Sequence, residues 1–322
     1  MSRSAVQLGY VHDSFVHLFV PRPVRRPPLI NRGYYAREYA IYQQLRAFLG
    51  ATAAAGEGAQ VLVLGAGFDT RFFQLALAKL VPESARYFEV DFAAVTTPKI
   101  RTMVSGSDKG TFLDLLRDVR VSEQGDELYS QQLTILSGDL RQFDAIETKL
   151  AQHGFDLAKP TFVLSECVLI YLKKPDADHI VQWAGSRLAK SVFVCYEMIR
   201  PNDGFGEVMV RNLEVRAGYV FLFFLTPQDQ NRGIVLHSLN AYPDPQAQAL
   251  RYTGAGFNDV VVHDMLQVYN ECIPTHEKVR VSRLEFLDEV EEFNLIMRHY
   301  CCVSANRNMA IHLRQEPQQF QD

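Results

Sequence analysis

Four short segments of this 322-residue chain carry residue types suited to gripping a small polar ligand. The first is Gly65-Ala66-Gly67-Phe68-Asp69-Thr70-Arg71, which follows directly on an apolar run. Two glycines at such a junction let the backbone turn tightly and let a ligand approach where a Cβ would block it. The other three segments are acidic: Phe88-Glu89-Val90-Asp91, Ser137-Gly138-Asp139-Leu140 and Ser165-Glu166-Cys167. Asp91 lies 24 residues after Gly67 (91 − 67), near the ~20 at which an acid meets ribose hydroxyls. A single charge after an apolar run usually marks only the return to solvent. Four runs in succession, each ending in a glycine or a carboxylate, point instead to a ligand-binding edge.

The third glycine of the dinucleotide pattern falls at Thr70. That glycine lets a helix pack close beneath a pyrophosphate, so its replacement speaks against nicotinamide and flavin cofactors. A cofactor without phosphate does not need it. S-adenosylmethionine is such a cofactor, and its parts match the acids: Asp91 to ribose, Asp139 to the adenine amino group, Glu166 to the methionine ammonium.

Positioning these residues requires strands that end together. Short apolar runs occupy residues 60–64, 87–90, 133–136, 162–164 and 192–196, with helical segments predicted over 71–80, 93–102, 143–152 and 176–189. Such alternation is the signature of an α/β domain with a parallel sheet and covering helices. Residues 1–33 read as irregular because of their prolines, 34–49 as a helix, 50–58 as a linker and 104–131 as an insertion. Beyond residue 200 a helix is predicted over 205–216, a loop-like stretch over 218–245, strands over 260–263 and 301–305, and a helix over 284–297.

Composition narrows the field. With 33 basic and 37 acidic residues the formal charge is −4, which provides no field for a nucleic-acid backbone. The five cysteines show neither a C-x-x-C pair nor zinc-site spacing, and read as reduced thiols in a reducing compartment. His12 and His17 lack metal partners, and Arg22, Arg25 and Arg26 read as a solvated cluster. The longest apolar run, residues 219–225, is far short of the ~20 needed to span a membrane. A cytoplasmic, metal-free monomer without membrane or nucleic-acid partners is expected.

Further segments accompany the glycine turn and the acidic set. They are Ile30-Asn31-Arg32-Gly33-Tyr34-Tyr35-Ala36-Arg37, Asp139-Leu140-Arg141 and Ser165-Glu166-Cys167-Val168-Leu169-Ile170-Tyr171. Asp203-Gly204-Phe205-Gly206, Met209, Asn212-Leu213, Leu284-Glu285-Phe286-Leu287-Asp288-Glu289 and Met297-Arg298-His299-Tyr300-Cys301 follow in order. Together they resemble the leucine carboxyl methyltransferases, which methylate the C-terminal leucine of the type 2A protein phosphatase catalytic subunit. The resemblance implies a class I S-adenosylmethionine-dependent methyltransferase fold, doubly wound around a mostly parallel seven-stranded sheet, with a helical substrate-binding lid. It implies an N-terminal arm and helix over the cofactor (1–58), a core (59–200), a lid (201–256) and closing strands and helix (257–322). It places Arg37, Gly65, Asp91, Asp139, Leu140 and Glu166 at the cofactor, and Gly67 of the glycine turn is expected beside them. The family carries a basic pair before its first Gly-Tyr segment. Here Arg3 precedes Gly9-Tyr10, with Ser2 in the lysine position.

A C-terminal carboxylate, with a pKa of about 3.3–3.7, is ionised and nucleophilic at neutral pH. No general base is then required, and no Ser/His/Asp or Cys/His arrangement suggests one. Arg37 suits either the acceptor's carboxylate or the cofactor's own, the resemblance favouring the latter. Tyr171 is a candidate lining of the methyl-transfer pocket, or a core aromatic. Rival readings are a wybutosine-pathway tRNA methyltransferase, a small-molecule O-methyltransferase, a binding protein without activity and a nicotinamide dehydrogenase.

Overall fold

The computed structural model describes residues 2–22, 24–220 and 235–314, with 213–220 described by backbone alone. Two short helices, α1 (Arg3–Gln7) and α2 (Val16–Phe19), precede the long α3 (Pro28–Ala54). The irregular reading of 1–33 needs correction. Pro28 opens α3, because a proline at the first helical position forfeits no hydrogen bond. Nor is 50–58 a linker throughout: α3 runs through Gly50 with Leu49 and Thr52 still buried. Gly56, left-handed at φ +68°, marks its end.

β1 (Gln60–Leu64), α4 (Arg71–Leu77), β2 (Arg86–Asp91) and α5 (Ala93–Ser105) follow as the alternation predicts. The stretch read as an insertion contains α6 (Lys109–Leu113) and the two-residue strands β3 (Arg120–Val121) and β4 (Leu128–Tyr129). Then come β5 (Leu133–Ser137), α7 (Phe143–Gln152), β6 (Thr161–Glu166), α8 (Lys174–Arg187), β7 (Ser191–Met198) and α9 (Gly204–Val220). Residues 218–220 extend α9 into the stretch read as loop-like, while 221–234, and with them 221–225 of the apolar run, fall outside the described residues. Beyond them lie α10 (Pro245–Gly254), β8 (Asp259–Asp264), α11 (Met265–Gln267), α12 (Thr275–Ser282), α13 (Val290–Arg298) and β9 (Tyr300–Arg307). The helix predicted over 284–297 therefore starts six residues late. Its expected first turn is a bend that sets Glu285 against the N-terminal arm, where the carboxylate accepts from Tyr10 Oη and Asn31 Nδ2.

Among the described residues the sheet has nine strands rather than the expected seven, in the order β3-β4-β5-β2-β1-β6-β7-β9-β8. The two extra strands are the edge hairpin β3–β4, too short to show a period in sequence. From β5 to β7 the pairing is parallel; β9 runs antiparallel to both β7 and β8. Every residue of β1 and β7 is buried, as strands covered on both faces must be. Successive side chains feed opposite cores. Val61, Val63, Phe162 and Leu164 meet α3 and α4 residues such as Ile41, Phe48 and Phe72. Leu62, Leu64, Val163 and Phe193 meet α7, α8 and α10 through Ile146, Trp183 and Tyr252. The winding reverses between β1 and β6, so the crevice at their carboxyl ends is the topological switch point at which open α/β sheets bind ligands.

Candidate functional site

Strand register aligns the predicted residues. Leu64 is level with Val90 on one side and with Ser165 on the other, while Asp91 pairs with Ser137 and Glu166 with Tyr196. Gly65, Asp91, Asp139 and Glu166 therefore leave the sheet along one edge, as the sequence predicts.

Gly65 takes φ +61°, and a Cβ there would stand 2.5 Å from Val168 Cγ2. The β1 turn and the turn after β6 pack so closely that only glycine fits. Gly67, at φ +53°, has open space where its Cβ would be. Its amide donates to Asp91 Oδ2 at 2.7 Å, and Phe92 N donates to Oδ1 at 2.7 Å. Burial pushes the Asp91 carboxyl up, with the two amide bonds pulling the other way. Asp139 caps the short turn Leu140–Gln142, accepting from Arg141 N at 2.9 Å and pairing with Arg141 Nη2 at 2.6 Å. Burial opposes the charge, but the Arg141 bonds prevail and hold the carboxyl below its ordinary range. Leu140 beside it is buried and apolar.

At the other end of the edge, Glu166 sits between two arginines. Arg37 Nε lies 2.9 Å from Oε1, an ion-pair distance at which this N–H makes no aligned hydrogen bond. Arg71 Nη2 donates to Oε2 at 2.8 Å. Burial raises the Glu166 carboxyl, yet the charges of Arg71 and then Arg37 outweigh it and bring it down to about 2. Arg71 also donates from Nε and Nη2 to Glu38, at 2.9 and 2.7 Å, and from Nη1 to Asp69 at 2.7 Å. One buried guanidinium thus ties α3, the glycine turn and the end of β6 together. The Arg37 guanidinium lies 5.0 Å from the Tyr34 ring centre and 5.3 Å from that of Tyr196. Tyr196 in turn stacks on Tyr300 at 5.2 Å, so aromatic faces hold the cation that Glu166 holds loosely.

The N-terminal arm reaches this end of the edge. Thr70, where the dinucleotide pattern would want glycine, donates its hydroxyl to Asp13 Oδ2 at 2.8 Å, and Phe19 stacks on Phe68 at 5.4 Å. A small cleft with room for little more than a water remains between arm and turn, with Tyr34, Glu38, Asp69 and Arg71 in its lining. Arg3 takes no part: its Nη1 donates to Val20 O at 2.7 Å and to Pro21 O. Ser2 caps α1.

Tyr171 lies farther along the same loop. It packs with Met209, Val210 and Tyr300 against a small apolar cluster of Ile170, Met198, Leu236 and Leu239, bringing α9 to the loop after β6. Burial pushes its hydroxyl pKa well up, so it stays a neutral phenol. Buried Glu197 braces that loop, Oε1 accepting from Val168 N at 3.2 Å and Ile170 N at 3.3 Å. Burial raises the Glu197 carboxyl to about 7. His299 holds the start of α9, its Nε2 2.8 Å from Asp203 Oδ1, which also accepts from Gly206 N.

The strand-end residues that the sequence reading set on one edge, Gly65, Asp91, Asp139 and Glu166, do stand there, with Gly67 and Leu140 next to them, Arg37 reaching Glu166 from α3 and Tyr171 farther along the loop after β6. That reading gave no role to Arg71, Glu38, Asp69, Tyr196 or Tyr300. A faint signal existed: Arg71 ends the glycine turn, and Glu38 follows Arg37 directly. The five cysteines are free thiols. Among the described residues there is no group of three or more His, Cys, Asp or Glu able to hold a metal, and no helix long and apolar enough to cross a membrane.

Residues 4–185 match the family model described as leucine carboxyl methyltransferase. A leucine carboxyl methyltransferase 1 homolog of Arabidopsis thaliana is 37% identical over 302 residues, covering 94% of this chain and 84% of the relative. Leucine carboxyl methyltransferase 1 of Schizosaccharomyces pombe is 34% identical, covering 94% and 89%. The human tRNA wybutosine-synthesizing protein 4 is also 37% identical, over 95% of this chain but only 42% of its own length. Among solved structures, a DUF574-family protein of Streptomyces avermitilis superposes with a TM-score of 0.50 at 16% identity, covering 86% of this chain and 83% of its own. The fold is thus the class I methyltransferase fold.

Proposed function

Since the chain belongs to the leucine carboxyl methyltransferase family, we propose that it moves a methyl group from S-adenosylmethionine to the C-terminal leucine α-carboxylate of the type 2A protein phosphatase catalytic subunit. One observation carries the cofactor reading: an oppositely charged Arg37–Glu166 pair stands level with a glycine turn and Asp91 on one sheet edge. That donor set fits the cofactor. A carboxylate and an ammonium need a cation and an anion side by side, and ribose hydroxyls need an ionisable acceptor such as Asp91. The open space above Gly67 admits the chain between them.

When bound, S-adenosylmethionine supplies an electrophilic methyl carbon on a sulfonium leaving group. Transfer of that methyl to an ionised carboxylate would exchange the C–S bond for the C–O bond of the ester, with no proton to move. The chain's residues have only to hold, aim and dehydrate. Arg37 takes the cofactor's carboxylate and Glu166 its ammonium. Asp91 takes the ribose, and Asp139 with Leu140 the adenine. Tyr171 lines the transfer pocket beneath α9, the lid helix of the 201–256 segment, while the arm and α3 (1–58) cover the cofactor. The proposed setting is a cytoplasmic monomer.

The likeness to the human wybutosine-synthesizing protein favours a modified tRNA base as the second reading. Incubation with methyl-labelled S-adenosylmethionine and phosphatase catalytic subunit, with or without its last leucine, separates the two. Alkali-labile label that depends on the terminal leucine is expected. Label carried instead by tRNA would replace the phosphatase reading.

A further inference from the structure

The two arginines that flank Glu166 are held in contrasting ways. Arg71 is almost wholly buried, and four aligned hydrogen bonds reach three carboxylates: two to Glu38, one to Asp69 and one to Glu166. These partners lie on α3, in the glycine turn and at the end of β6, so the guanidinium cannot turn without breaking bonds to separate elements. Arg37 is more exposed, with 23% of its side chain open. Its Nε faces Glu166 Oε1 without an aligned bond, and its plane rests between the Tyr34 and Tyr196 rings. Cation–π contact tolerates rotation of the cation in a way that a forked carboxylate does not.

We propose that Arg71 is a positioning residue that fixes Glu166 through Oε2, leaving Arg37 free to trade Glu166 Oε1 for a ligand's carboxylate. Glu166 Oε1, released by Arg37, then accepts the ligand's ammonium. The exchange leaves the net charge of the site unchanged: one Arg–Glu contact gives way to one Arg–carboxylate and one Glu–ammonium contact, both ligand charges coming from the same zwitterion. Without Arg71, Glu166 would follow Arg37 when it turned, and the two would remain paired with each other. The site would then keep the nucleoside half of its ligand and lose its preference for an amino-acid end. This inference rests on reading Arg37 and Glu166 as the contacts of the cofactor's amino-acid end.

Calorimetric titration with two nucleosides tests it without turnover. S-adenosylhomocysteine has the zwitterionic end; 5′-methylthioadenosine has the same nucleoside and sulfur but no carboxylate or ammonium. The wild type should bind the first more tightly. Arg71→Gln should weaken S-adenosylhomocysteine by about 10–100-fold, the range for a lost hydrogen bond to a charged group, while methylthioadenosine binding holds. Removing a buried cation from among carboxylates endangers folding, so E38Q/R71Q, which removes one charge of each sign, is titrated alongside with the same pattern expected. Equal losses for both nucleosides would show Arg71 to be a general structural residue and overturn the proposal, as would no loss for either. A wild type that does not favour the zwitterion overturns it at its premise. A wild type that binds neither nucleoside brings down the cofactor reading as well.

Discussion

The two ends of the ligand edge are built on different principles. At the Asp91–Asp139 end the carboxylates are held by backbone amides and by one exposed arginine. Asp139 is paired with exposed Arg141, and Asp91 accepts from the next residue's amide and from Gly67 N. At the Glu166 end the holding groups come from far along the chain, Glu38 and Arg71 being 33 residues apart and Arg71 and Glu166 being 95 apart. The first end leaves lone pairs free for neutral hydroxyl and amino groups. The second assembles buried full charges, which repay their desolvation only when complete. Loss of one member should therefore cost more at the second end.

Glu166→Gln should show the largest effect, a fall of about 100–1,000-fold in kcat/KM for the cofactor, because two guanidinium groups lose their shared anion. Steady-state methyl transfer measures it, with near-ultraviolet circular dichroism reporting that the fold persists. Asp91→Ala should cost about 10–100-fold in cofactor affinity by calorimetry, the range for hydrogen bonds to a charged acceptor. If Asp91→Ala matched Glu166→Gln, the contrast between the ends would disappear. Asp139→Asn should cost less than about 10-fold, since its charge is already shared with solvent-exposed Arg141. Tyr171→Phe keeps the ring against the apolar cluster and should leave cofactor affinity unchanged. A fall in turnover alone would assign the hydroxyl to the transfer pocket.

The contrast also has a pH signature. The folded-state pKa of Glu166 is depressed to about 2, so its contribution to stability is present above its unfolded value of about 4.5 and is lost as pH falls toward 2. Glu89 and Glu197 are both raised by burial to about 7. There the unfolded chain releases its proton first, so stability declines as pH rises from about 4.5 to 7 and levels off above. Glu197→Gln should flatten that decline by on the order of 1–3 kcal/mol between pH 5 and 8. Thermal melts across that range measure it; an unaltered slope would mean that Glu197 keeps an ordinary pKa.

The strands were legible because burial on both faces writes short unbroken apolar runs, and β1 occupies the same residues that its run predicts. The acids at their ends were legible because they are local to those runs. What escaped was set by contacts distant in sequence. Arg71, Glu38 and Asp69 are ordinary charged residues until folding brings them together, and the Tyr196–Tyr300 stack joins neighbouring strands 104 residues apart (300 − 196). The start of α3 escaped for another reason. Proline inside a helix usually ends it, and its tolerance at the first position shows only when the following turn is seen to be helical.

The most direct test of the ligand edge is a crystal structure of the chain with S-adenosylhomocysteine. The ribose should lie against Asp91 and the adenine beside Asp139 and Leu140. The ammonium should meet Glu166 Oε1, and the carboxylate Arg37. Glu166 Oε2 should still be held by Arg71. A nucleoside bound away from this edge, or an Arg37 still seated on Glu166 Oε1 with the ligand in place, would contradict the account.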